Sequence, residues 1–333
     1  MKPIVILAVP YMYGLDKCIE KNLNHHGYDV INLCYDDRDS HYPHFGSRLL
    51  GLYHKTVTKN SNYKKRLKFI RYQAEINKKL AALGGRKADY ALCIRANVYP
   101  KEIIAQIRRH SEVCVNYQWD GVDKFPDIFD YLPYFDRFFV FSPEDAAKYA
   151  QYGFQTASNF YFDYPIEAGH KGRSGLYFLG GYETNREAET RRFIKEARRR
   201  NLPLDFYVYC KDGRAEKTFG TEGITYLNRS NVLSFMQNLE KVRGCSAVVD
   251  FVQYEDYGLS FRVFDALRYD KKLITTNGLI KKYDFYCPEN IFVWDGKNLE
   301  GLAEFMDLPY RPIEAEIKQK YSFKGFLDKV FEQ

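Results

Sequence analysis

Residues 245–277 read CSAVVDFVQYEDYGLSFRVFDALRYDKKLITTN, and this stretch decides the fold. The pattern predicts a buried strand from Ser246 to Val252 and a polar, glycine-bearing loop from Gln253 to Gly258. A helix from Leu259 to Tyr269 and a short strand from Lys272 to Thr276 follow. A strand that feeds a helix through such a loop leaves backbone N–H groups free at the helix start, where anions bind. Helical spacing sets Arg262 and Asp265 on one face with Gly258, while Val263, Phe264 and Leu267 point roughly the opposite way. The apolar side suits a sheet. The polar side suits a nucleotide diphosphate, with Arg262 and the amides for phosphate and Asp265 for ribose hydroxyls. A solvated face with an ordinary Arg–Asp pair would look the same in sequence and contribute little. On this stretch alone both readings stand.

Outward from that stretch, the chain repeats strand and helix. Strands are expected at Ile4–Pro10, Tyr28–Tyr35, Tyr90–Arg95, Glu112–Trp119, Arg137–Phe141 and Thr156–Phe162. Helices are expected between them, including one near Pro126 to Leu132 and a long basic one from about Tyr63 to Leu83. The pattern restarts at Leu176–Leu179, continues through Asp205–Cys210 and Ile224–Leu227, and reaches a last strand at Ile291–Trp294. Repeated βα units imply doubly wound parallel sheets, here two Rossmann-like α/β domains facing across a cleft. The expected division is 1–164, 165–310, and C-terminal helices over 311–333 packing back on the first domain. The polar, Pro- and Gly-punctuated run from Tyr164 to Ser174 serves as linker.

At 333 residues the chain is long enough for two substantial cores, and 45% hydrophobic and 17% aromatic content excludes a disordered protein. Seven dispersed cysteines without a CxxC pair point to reduced, buried thiols and a cytoplasmic protein. No apolar run reaches the roughly 20 residues that span a bilayer. MKPIVILAVP reads as a first strand rather than a signal peptide. Fifty Lys and Arg against 43 Asp and Glu give a formal charge of +7, which permits an anionic partner without choosing one.

Further candidates follow from position. LYFLGGYETNR (Leu176 to Arg186) is strand, glycine turn and helix start. Gly180 and Gly181 would let backbone approach a phosphate, and Arg186 would stand in the first turn. A plain strand-to-helix turn fits equally. Lys211, just past a strand end, is another phosphate candidate. Asp120 follows a strand of the first domain, at the edge where parallel sheets bind ligands. It suits a general base or an acceptor-orienting group, and an Asx turn at Asp120-Gly121 fits as well. His41 and His44 near Asp37-Arg38-Asp39 form a poor metal signature, and no metal site is expected.

Three of these stretches together, FLGGYETNR, EDYGLSFRVFDALRYDKKLITTN and FDRFFVFSPEDAAKY, resemble GT-B glycosyltransferases. The likeness is to the bacterial group 1 and CgeB-like enzymes of polysaccharide and lipopolysaccharide assembly. The resemblance implies a metal-independent sugar transfer from a nucleotide-diphosphate donor, a UDP-sugar in the first instance, to a cell-surface glycan or lipid-linked acceptor. Asp265-Ala266-Leu267 matches the family's ribose-binding position. Glu255, Tyr257 and Gly258 complete the donor set with Gly180, Gly181, Arg186 and Lys211, although the usual E-x7-E spacing is not kept and Asp270-Lys271 replaces a customary glycine. Arg262 and Asp120 are the expected catalytic residues. No cofactor is implied beyond the donor as substrate. Peripheral contact with an anionic inner-membrane face is a further expectation, carried by the basic-aromatic helix. Alternatives are a DNA-modifying glucosyltransferase, disfavoured as nucleic acid is not the expected partner, and a non-catalytic nucleotide-sugar-binding subunit.

Overall fold

The computed structural model describes residues 2–36, 38, 61–166, 175–252 and 258–332. It resolves two compact units, Met1–Ala157 with Leu327–Gln333, and Ser158–Phe326.

The first unit holds β1 (Ile4–Ala8), α1 (Leu15–His25), β2 (Asp29–Asn32), α2 (Ser61–Phe69), α3 (Gln73–Ala81) and β3 (Ala88–Ile94). It continues with α4 (Lys101–Arg109), β4 (Ser111–Gln118), β5 (Arg137–Val140), α5 (Pro143–Lys148) and the two-residue β6 (Gln155–Thr156). Its six strands are all parallel, in the order β2-β1-β3-β4-β5-β6. Central strands such as IVILA are buried at every position, because helices cover both faces of a parallel sheet.

The second unit runs β7 (Leu176–Gly181), α6 (Glu187–Arg199), β8 (Leu204–Tyr209), α7 (Arg214–Phe219), β9 (Ile224–Leu227) and α8 (Phe235–Gly244). Then come β10 (Ala247–Asp250), α9 (Phe261–Arg268), β11 (Lys272–Thr275), β12 (Ile291–Val293), α10 (Leu302–Asp307) and α11 (Ala315–Lys320). The sheet order is β12-β11-β10-β7-β8-β9, again parallel throughout. The chain winds outward from β7 to β9, then crosses back to lay β10 on the other side of β7. Strand order therefore reverses between β7 and β10, and the carboxyl end of that reversal is where open α/β sheets bind ligands.

The last helix, α12 (Phe323–Phe331), starts among second-unit residues and ends among first-unit ones. The Phe331 ring stacks on Tyr90 at 4.2 Å, and Arg137 Nη1 donates to the carbonyls of Val330 and Phe331. Only residues from Leu327 onward join the first unit, a shorter return than 311–333, and the division at Ala157 falls before the expected 164.

Three expected elements differ. The segment Pro126–Tyr134 is a 3-10 helix containing Pro133, whose ring and missing N–H forbid continuous α-helical bonding. The strand expected over Thr156 to Phe162 joins the first sheet only at Thr156, and Tyr161 forms an isolated parallel bridge with Ser322. The long basic helix breaks at a 3-10 turn, Ile70–Tyr72, so Leu67, Ile76 and Leu80 are buried while Ile70 turns outward, 50% exposed. Conversely α7 carried no sequence expectation. Its six residues are too few for a period to show. All seven cysteines are free thiols.

Candidate functional site

The ladder between β7 and β10 ends at the Tyr177–Val248 pair, although β7 continues to Gly181 and β10 to Asp250. Past that point backbone carbonyls need other donors. Two arginines supply them. Arg262 Nη1 donates to Leu179 O at 3.1 Å, and Arg186 donates to Gly181 O at 2.5 Å and to Phe251 O at 3.0 Å. Leu179 and Gly181 are alternate residues, so their carbonyls point toward the same strand edge. Both guanidinium carbons lie over the Phe178 ring, 5.7 Å and 5.6 Å from its centroid. The two cations thus fill the fork at the switch point of the second sheet.

A buried carboxylate holds Arg262. Asp250, the last residue of β10, is 0% exposed and accepts from Arg262 Nε at 2.9 Å, Ser260 Oγ at 2.8 Å and Thr275 Oγ1 at 2.9 Å. Ser260 stands at the N-cap of α9, yet its hydroxyl turns to Asp250 and makes no capping bond to the helix. Val263 N in the first turn of α9 donates to Ser260 O at 3.1 Å, and the helix dipole adds positive potential beside the arginine pair. Arg186 is only 9% exposed: burial, then repulsion from Arg262, lowers its pKa to about 10. Glu183 and Glu189 join Asp250 in favouring the charged Arg186, while Arg262 opposes it. A close pair of like charges is stabilised by an arriving anion.

The sequence-expected residues divide accordingly. Arg186 and Arg262 come together with Gly181. Gly180 has a different reason from the one expected: a Cβ there would meet Phe178 Cζ at 2.5 Å, so the glycine makes room for a ring on its own strand face. Gly181 has only Glu183 Oε1 near, at 3.6 Å. Asp265, expected at the donor ribose, is packed inside the second unit. It is 2% exposed, and Asn238 Nδ2 on α8 donates to its carboxylate at 3.3 Å, with Tyr177 OH bonded in turn to Asn238. One turn beyond Arg262, it faces the packed interface of α9 with α8. Burial raises its pKa to about 7 against the opposing pull of Asn238 and Arg262.

Gly258 is buried and its carbonyl accepts from Asn277 Nδ2, while Val252 N donates to Thr276 Oγ1. The residues flanking 253–257 are thus tied to the chain just past β11. Glu255 and Tyr257 lie outside the described residues, as do Asp37, Asp39, His41 and His44. Lys211 is exposed, past the end of β8.

In the first unit, Asp120 lies just past β4. Arg95 Nη1 reaches its Oδ2 at 2.9 Å and Lys124 Nζ its Oδ1 at 3.7 Å. Arg95 has left-handed backbone (φ 52°, ψ 59°), and its guanidinium lies 3.8 Å from the Phe125 ring centroid. Asp136, just before β5, accepts from Cys114 N and Arg108 Nη2.

Sequence reasoning missed Asp250. It sits at the end of an apolar run, and its partners are 10, 12 and 25 residues away. Only the rule that a buried carboxylate demands a cation could have found it.

No family model and no curated protein matches the chain. Solved structures do resemble it across nearly its full length. The trehalose-6-phosphate synthase OtsA aligns over 99% of this chain and 95% of its own, at 11% identity and a TM-score of 0.52. A glycosyltransferase from Rickettsia africae aligns over 98% and 96%, at 9% identity and 0.52. The fold is GT-B. MnaA of S. aureus, in a structure with UDP, aligns over 99% and 94%, at 10% identity and 0.50. At these identities the likeness is one of fold. It agrees with two six-stranded parallel sheets flanked by helices, as the sequence led us to expect.

Proposed function

We propose that the protein is a glycosyltransferase that moves a sugar from a nucleotide-diphosphate donor, a UDP-sugar in the first instance, to a cell-surface glycan or lipid-linked acceptor. The observation that carries this is the pair Arg186 and Arg262 held in the β7–β10 fork beside the start of α9. A diphosphate needs fixed donors and positive charge, and its departure from the sugar is the step that such groups accelerate. The UDP in the MnaA structure supports the choice of nucleotide.

In this reading Arg262 and Arg186 stabilise the leaving diphosphate, and Asp250 holds Arg262 in place through its Nε. The α9 amides add to the same field, and no metal is required of the site. Asp120 takes the acceptor side, as a base or as an orienting group, with Arg95 and Lys124 fixing its carboxylate. Among the described residues no helix is long and apolar enough to cross a membrane. Peripheral contact through the basic α2–α3 segment is part of the proposal.

The test is turnover of a nucleotide-sugar panel, followed as nucleoside diphosphate released with and without lipid-linked oligosaccharide acceptors. Release that depends on acceptor and disappears in Asp120→Asn supports transfer. Binding of nucleotide with no release under any acceptor would favour a non-catalytic binding subunit.

A further inference from the structure

The first unit keeps a set of polar groups dry. Asn116 and Gln118 lie two apart on β4 and so share one face of the sheet. Both are 0% exposed. Asn116 Oδ1 accepts from Ala96 N at 3.0 Å, but among the described residues its Nδ2 has no partner. Gln118 has none for either Oε1 or Nε2. On the turn against Asn116, Asn97 donates to Asp127, and its Oδ1 is likewise unmatched.

An unmatched buried polar group is destabilising, and Gln118 carries an acceptor and two donor hydrogens. Its neighbours on this face, Cys114 and Val140, belong to the apolar core. For the fold alone a residue such as leucine or methionine would serve better. Gln118 is also the last residue of β4, at the carboxyl edge of the sheet. One register step past the Ile94–Tyr117 pair lies Arg95, whose left-handed backbone adds strain at the same edge. Two destabilising features at one sheet edge point to a use.

We propose that Gln118 is a ligand-binding, specificity-determining side chain of the first unit, placed to pair with the hydroxyls of a sugar ring. The inference rests on the glycosyltransferase reading, in which that ring is the acceptor's terminal sugar. Unmatched acceptors stand beside unmatched donors here, and an anion would use only the donors. A hydroxyl gives and receives, so neighbouring hydroxyls match a carboxamide at both of its atoms. Because the amide is fully buried, the ligand engages it through local rearrangement, and binding is coupled to closure around the sugar.

The experiment compares wild type with Gln118→Met and Gln118→Leu. Melting temperature is measured, with saturation-transfer NMR using glucose, galactose and N-acetylglucosamine as probes, with and without UDP. At least one substitution raises the melting temperature, by about 2–4 °C. Both weaken the best probe sugar about tenfold, while UDP affinity is unchanged. Lower melting temperatures in both variants would show the amide to be a structural group and overturn the proposal. So would unchanged sugar binding, or wild type binding no probe under either condition. Failure of UDP to bind wild type would instead strike the donor reading, which separates the two claims.

Discussion

Arg262 Nε donates to the fully buried Asp250 Oδ1 at 2.9 Å, while Nη1 of the same guanidinium holds the carbonyl of Leu179 across the fork. A single side chain thereby ties β10 to β7 where their own ladder has ended. The same cation is the one proposed to meet the diphosphate, so fold and function draw on one contact.

Asp250→Ala removes the acceptor for Arg262, Ser260 and Thr275 together. Breaking one side of a buried pair costs about 3–5 kcal/mol. Urea denaturation of the variant should show a loss of that order, with the slope unchanged. A loss below about 1 kcal/mol, the range of an exposed pair, would mean that the pair is not dry.

The two glycines of β7 should behave differently. Gly180→Ala drives a Cβ into the Phe178 ring and should cost about 1–3 kcal/mol, as overpacked cores do. Gly181→Ala meets only ordinary contact and should cost less than about 1 kcal/mol. Combining Gly180→Ala with Phe178→Leu should recover part of the first loss. Equal effects at both glycines would contradict the assignment of Gly180 to ring packing.

Asp265 sets a pH dependence. Its folded pKa is raised to about 7, so the native state holds a proton that the unfolded chain, at the ordinary aspartate value of about 3.9, has released. Its contribution is therefore complete below about pH 4 and is lost as pH rises through 7. Asp265→Asn should match wild type near pH 4 and gain on it progressively to pH 7. The advantage should level off above that, at no more than about 4 kcal/mol. A difference that is flat from pH 4 to 8 would show that the carboxylate is not held protonated.

Asp120→Asn should lower sugar transfer by about 10²–10⁴, the usual worth of a positioned base, and leave nucleotide affinity unchanged. A loss of nucleotide affinity without a change in turnover would remove Asp120 from the acceptor side.

The strands and most helices were legible because apolar runs such as IVILA and AVVD admit only a strand covered on both faces. Glycines such as Gly27 and Gly153, at positive φ, also punctuate the chain. The fork was half legible. Arg262 and Arg186 stand out at helix starts, but the carbonyls that hold them become available only because the β7–β10 ladder stops early, which no local pattern records. The burial of Asp265 was not legible because a helical face says which residues neighbour Arg262, not that α8 packs against that face. Gln118 looked like an ordinary strand residue, and its cost shows only once its burial is known.

The most direct measurement is thermal shift of the protein against UDP, GDP, ADP and CDP, repeated with Arg186→Lys and Arg262→Lys, which keep charge but lose the guanidinium fork. At a hundredfold excess over its dissociation constant, the preferred nucleotide should stabilise wild type by about 2.7 kcal/mol. The account predicts that one nucleoside diphosphate gives this shift and that both lysine variants, still folded, lose most of it. No shift with any of the four, or the same shift in all three proteins, would contradict the assignment of the fork as the donor diphosphate site.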